Sequence, residues 1–147
     1  MTADRPCASP AGAPTGPSRR TLPAAAESVG VARRSAQAFA ERHGLAGSRL
    51  ADVALAVSEA VTNVVLHAYR GRATPGAMDL TFEAREDGIH VAVRDFGLGL
   101  VPRDDSPGLG LGLGVIGRMA DRVEISAPRG GGTELRMVFA LEGSAGR

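Results

Sequence analysis

The spacing of apolar residues changes once along this chain, and the change dictates the fold class. Between residues 24 and 69 the apolar positions recur every three or four residues, as Val29, Ala32, Ala36 and Phe39, then Leu50, Val53, Ala54, Val57, Val61, Val64, Val65 and Ala68. That is the spacing of one helix face. Gly44 separates the two runs, and Gly71 and Pro75 stop the second. From residue 78 the period falls to two. Met78, Leu80, Phe82 and Ala84 alternate with polar residues, Asp87-Gly88 supplies a turn, and Ile89, Val91 and Val93 alternate on the return. A glycine-rich stretch over residues 97–117 follows, interrupted by a polar loop at 102–107, with a short helix expected over 113–120. Val123 and Ile125 open a second hairpin, which turns through residues 128–132 and returns with Thr133, Leu135, Met137 and Phe139 on one face. The order helix, helix, hairpin, glycine loop, helix, hairpin predicts an α+β fold. Its form is a two-layer sandwich, with helices covering one face of a mostly antiparallel, mixed sheet.

A chain of 147 residues fits one domain with its own core. Residues 1–20 are Pro, Ala, Gly, Ser and Thr with almost no bulky apolar side chain, and read as a disordered leader, leaving residues 21–141 as the folded domain and 142–147 as a tail. A net charge of +1 gives no global pull toward nucleic acid or an anionic membrane, so partners must be argued from sites. All seventeen basic residues are Arg. Walker-type phosphate loops and Schiff-base chemistry, which need a lysine, are thereby excluded. Cys7 has no internal partner, and His43, His67 and His90 lack zinc-site spacing. No uninterrupted apolar stretch or signal-type block stands out, so a reducing cytoplasm is the expected setting.

Chemistry concentrates at three places. Glu59, Asn63 and His67 recur every four residues along one stripe of the second helix, and Glu59 is the only charged residue from 53 to 69. A solvated stripe normally carries more charge, so this one reads as the lining of a pocket. Asn63 can offer a neutral oxygen to Mg²⁺, and Glu59 one turn earlier can orient water or take a hydroxyl proton. Asp95 continues the inward parity of Ile89, Val91 and Val93, with Gly97 and Gly99 behind it and Thr133 on the inward parity of the other hairpin. A carboxylate on such a floor accepts from the exocyclic amine of adenine and repels the guanine carbonyl. Gly108, Gly110, Gly112 and Gly114 alternate with leucines ahead of a helix, an arrangement that leaves amides free for phosphate. Residues 112–117 formally match the dinucleotide fingerprint, but a polar loop precedes them where that motif requires a strand.

In order, Glu59-x-x-x-Asn63, Asp95-x-Gly97-x-Gly99, the run Gly108 to Leu113 and Gly131-Gly132-Thr133 resemble the N box and glycine boxes of the histidine-kinase-like (GHKL) ATPases. Residues 57–63, His67-Ala68-Tyr69 and residues 120–123 particularly resemble bacterial anti-sigma-factor serine kinases, and the likeness spans residues 22–139. The resemblance implies a Bergerat-type ATP site, with Asp95 on the adenine amine, Thr133 supporting it and Asn63 holding Mg²⁺. It also implies that Gly97, Gly99 and the run Gly108, Gly110, Leu111, Gly112 and Leu113 surround the nucleotide, with the amides of residues 110–113 on phosphate. Arg103 is the one lid cation able to reach a terminal phosphate, and Glu59 is the base for a serine hydroxyl. The implied partners are an antagonist protein, as phosphate acceptor, and a sigma factor. A homodimer is compatible with it, and the first helix offers Arg33 and Arg34 to a partner. A non-catalytic module of the same fold is the alternative, and His67 receives no role.

Overall fold

The computed structural model describes residues 16–98 and 108–143, in which the two periodicities become helices and strands. Strand β1 spans Ser18–Pro23, and helices α1 and α2 span Ala26–Arg42 and Ser48–Asn63. Strands β2 (Ala77–Arg85) and β3 (Gly88–Asp95) form the first hairpin, and α3 (Gly108–Met119) leads to β4 (Arg122–Ser126) and β5 (Glu134–Phe139). The sheet order is β1-β2-β3-β5-β4 with every neighbouring pair antiparallel. The expected mixed sheet is therefore corrected among the described strands. The second hairpin docks through its return strand, so β5 separates β3 from the similarly directed β4.

The inward parity holds. Met78, Leu80, Phe82, Ile89, Val91, Val93, Leu135, Met137 and Phe139 are buried in one cluster with Ala32, Ala36 and Phe39 of α1, Val53, Val57 and Val61 of α2, and Ile116 of α3. The helices thus cover one face of the sheet, with α2 between α1 and α3. The opposite face presents Thr81, Glu83, Arg85, His90, Ala92, Arg94 and Arg136, none of them buried. Residues 48–68 are long and apolar enough to cross a bilayer by composition, with a mean hydropathy of 1.4. Here that segment is the central helix of the sandwich, and its Val53, Ala56, Val57 and Val61 are fully enclosed.

Three local expectations change. Ser18, Arg19 and Arg20, assigned to the leader by composition, pair with Phe82, Thr81 and Leu80 as the first half of β1. An edge strand is held by backbone bonds, and five of its six residues are exposed, so no apolar alternation announced it. The first hairpin turns on Glu86 and Asp87, with Gly88 already paired to Arg85. Lastly, the glycine run is helical from Gly108, five residues before the expected start. Leu113, Ile116 and Ala120 supply a stripe at helical spacing that packs on the core, and that packing offsets a cost of about 1 kcal/mol per helical glycine.

Candidate functional site

The site is built on a carboxylate that the sheet turns inward. Asp95 ends β3 with 4 % of its surface exposed. Its Oδ1 accepts the Gly97 N–H at 3.0 Å, its carboxylate also accepts from the Thr133 backbone amide, and its own N–H donates to the Thr133 carbonyl at 2.9 Å. Burial pushes the Asp95 carboxyl above the ordinary carboxylate range, and the two amides and the Arg94 charge offset part of that rise. Two glycines permit this geometry. A Cβ on Gly97 would lie 1.9 Å from the Ala68 carbonyl oxygen, and one on Gly132, whose φ is +80°, would lie 2.0 Å from that of Asp95.

Helix α2 brings the second half. After Asn63 the helix widens into one π-helical turn, Val64–Ala68, of the kind that recurs at functional sites. The turn ends on the Ala68 carbonyl, which accepts the Leu98 N–H at 2.8 Å, and on Tyr69, whose hydroxyl accepts the Phe96 N–H at 2.9 Å and donates to the Ala77 carbonyl. The end of α2 is thus tied to β2 and to the segment that follows Asp95. Glu59 and Asn63 face α3: a Cβ on Gly112 would stand 3.2 Å from both amide atoms of Asn63 and 3.5 Å from a carboxylate oxygen of Glu59. Asn63, His67, Ala68, Asp95, Leu113 and Thr133 line one cleft that opens to solvent, with an inner volume of ≈ 20 Å³. That is room for about one water. Leu113 of α3 forms part of its wall.

His67 lies on the π turn, with its Nδ1 2.7 Å from an Arg70 guanidinium nitrogen. Guanidinium only donates, so Nδ1 accepts and Nε2 carries the proton. Partial burial and the Arg70 charge hold the imidazole below its ordinary pKa, which keeps it neutral at pH 7.

The structure therefore brings together Glu59, Asn63, Asp95, Gly97, Gly112, Leu113 and Thr133. Gly99 and Arg103 lie outside the described residues. Gly108, Gly110 and Leu111 fall in the first turn of α3. The amides of Gly112 and Leu113 are committed to the helical ladder, and the amides left uncommitted are those of residues 108–110. Among the described residues no three His, Cys, Asp or Glu side chains cluster as a metal site. One neutral oxygen from Asn63 suits Mg²⁺, which keeps waters and takes phosphate oxygens when bound beside a nucleotide. Tyr69 stands in the run His67-Ala68-Tyr69, to which motif reading gave no role. Its signal was present, since it is the only tyrosine of the chain and closes an apolar helix, where a buried hydroxyl needs partners.

Comparison with known proteins gives a consistent picture. A family model described as a histidine kinase-like ATPase domain matches residues 22–139. The serine-protein kinase RsbW of Halalkalibacterium halodurans is 35% identical over 125 residues, 75% of each chain. The RsbW of Staphylococcus epidermidis is 34% identical over 119 residues, 71% of this chain and 75% of its own. Among solved structures, the RsbU and RsbW domains of Rv1364c from Mycobacterium tuberculosis superpose with a TM-score of 0.65 at 22% identity, covering 87% of this chain and 32% of that one. The histidine kinase domain of the Erythrobacter litoralis EL346 blue-light activated histidine kinase gives 0.55 at 21% identity, covering 84% of this chain and 63% of that one. Both structures share the fold described above.

Proposed function

The chain belongs to the histidine kinase-like ATPase family, among its serine-protein kinases, and on that premise we propose that it is a cytoplasmic anti-sigma factor that uses Mg-ATP to phosphorylate a serine of an antagonist protein. The observation that carries this reading is the buried Asp95 carboxylate sharing one cleft with Asn63 and Thr133, one helical turn from Glu59. Asp95 accepts from the adenine amine and discriminates against guanine. Thr133 braces Asp95 through its backbone, and Asn63 offers its side-chain oxygen to Mg²⁺. Bound ATP supplies the phosphoryl group to be transferred. Glu59, half-buried beside Asn63, takes the proton of the acceptor hydroxyl as general base. The amides that open α3 face the phosphates, with Arg103 as the lid cation. In the other state of the switch the same protein holds a sigma factor.

Calorimetry of Mg-ATP binding by wild type, Asn63→Ala and Glu59→Gln tests the site. Asn63→Ala is expected to lose most of the magnesium-dependent affinity. Glu59→Gln keeps the nucleotide and loses phosphate transfer by about 10²–10⁴-fold. Wild-type affinity in Asn63→Ala removes the metal role. Nucleotide binding without transfer to any antagonist serine leaves the alternative, a regulatory module of the same fold.

A further inference from the structure

Away from the cleft, a second concavity of ≈ 430 Å³ runs between α1 and the edge of the sheet. Val31, Arg34, Ser35, Ala38 and Arg42 lie on one face of α1, and Ser18 and Arg20 of β1 form the other wall. Buried Phe39 and Phe82 close its floor. Among the described residues no acid lines it.

Many of the other arginines are used: Arg49 pairs with Asp52 and Asp121, Arg85 with Glu83, Arg122 with Asp87, and Arg136 with Glu134, while Arg72 and Arg94 lie over the rings of Tyr69 and Phe96. Arg19, Arg33, Arg118 and Arg129 lack an ion pair among the described residues, but they do not gather in one apolar-floored groove. Arg20, Arg34 and Arg42 have no ion-pair partner among the described residues, and all three converge on one apolar-floored groove. Three like charges repel one another, and a proximal carboxylate would relieve that repulsion. Residues 1–15 contain a single acid, Asp4, beside Arg5, and residues 144–147 contain none. A second copy of this chain would bring three more guanidiniums to the same place. A polynucleotide fits poorly, because the aromatic rings are 4 % and 2 % exposed and offer no stacking face.

We propose that the α1–β1 groove is a docking site for an acidic, amphipathic peptide segment of a partner protein, whose apolar side chains rest on Val31 and Ala38 while its carboxylates meet Arg20, Arg34 and Arg42. Arginine suits this task, since its planar fork binds a carboxylate through two parallel bonds. The groove shares no lining residue with the nucleotide cleft, so it serves to hold a partner rather than to react with it. The proposal stands whether or not phosphate transfer occurs at Glu59.

Selection of a random 12-residue displayed peptide library on the immobilised full-length protein provides the test. Selected peptides are expected to be rich in Asp and Glu, with apolar residues three or four apart. Their synthetic forms should bind about 10-fold more weakly to Arg34→Glu and to Arg42→Glu, with affinity falling as salt rises. Arg129→Glu, an exposed reversal of equal charge in the β4–β5 loop, should bind them like wild type. Mg-ATP affinity should be unchanged in all three variants, which separates failure of the groove from failure of the nucleotide site. Selected peptides without acidic enrichment overturn the proposal, as does equal loss in Arg129→Glu. Self-association abolished by Arg34→Glu, or tighter binding of single-stranded DNA than of any selected peptide, assigns the groove to those occupants instead.

Discussion

Asp95 is a carboxylate whose burial opposes its charge. Its folded-state pKa is raised by burial, so its contribution to stability is most favourable at low pH and is lost as pH rises through that value. Asp95→Asn keeps an oxygen for the Gly97 amide and removes the buried charge. Thermal unfolding of this variant should therefore exceed wild type at neutral pH, with the gap closing as the pH falls below the Asp95 pKa, while ATP binding is lost. A variant no more stable at pH 7 than at pH 3, relative to wild type, would count against a charged Asp95. Gly97 carries a different constraint. Its Cβ position lies on the Ala68 carbonyl, backbone that cannot swing aside, so Gly97→Ala should cost about 1–3 kcal/mol or more in denaturant unfolding. Gly112 meets only the ends of the Asn63 and Glu59 side chains. There an alanine should change Mg-ATP affinity far more than stability.

At the scale of elements, legibility followed periodicity. The buried stripes of α1 and α2 and the inward strand parities, including that of Asp95, stand where their spacing predicts, because each follows from packing on one core. Strand β1 was half hidden, since a strand held by backbone bonds at a sheet edge leaves no apolar signature. The start of α3 was hidden too, because alternating glycines read as loop and only the packing of Leu113, Ile116 and Ala120 in three dimensions favours helix. The motif spacing located Glu59, Asn63, Asp95 and Thr133, yet gave no sign that Leu113 narrows the cleft. Tyr69, which ties the end of α2 to β2 and to the segment after β3, carries an elemental role. Tyr69→Phe strands the Phe96 amide and the Ala77 carbonyl, and should lower stability by about 1–3 kcal/mol while leaving the core intact.

For the whole molecule the two faces of the sheet divide the labour. The helical face holds the core and the cleft, whereas the open face carries short-range ion pairs such as Arg136 with Glu134, where Arg136 is 61 % exposed. Such pairs are screened by solvent, so Arg136→Ala should shift stability by less than about 1 kcal/mol, checked by urea unfolding. The α1–β1 groove differs in gathering three unpaired arginines over one apolar floor. One feature between the faces limits how the chain can change: the wide turn of residues 64–68 spends one residue more than an ordinary helical turn. Rewinding these five residues as an ordinary α-helix, with none removed, would swing the tyrosine ring by about 100° around the helix axis, off the strand it latches. Side chains along this turn can be exchanged, but losing its extra width at the same length would uncouple Asn63 on the helix from Asp95 on the sheet.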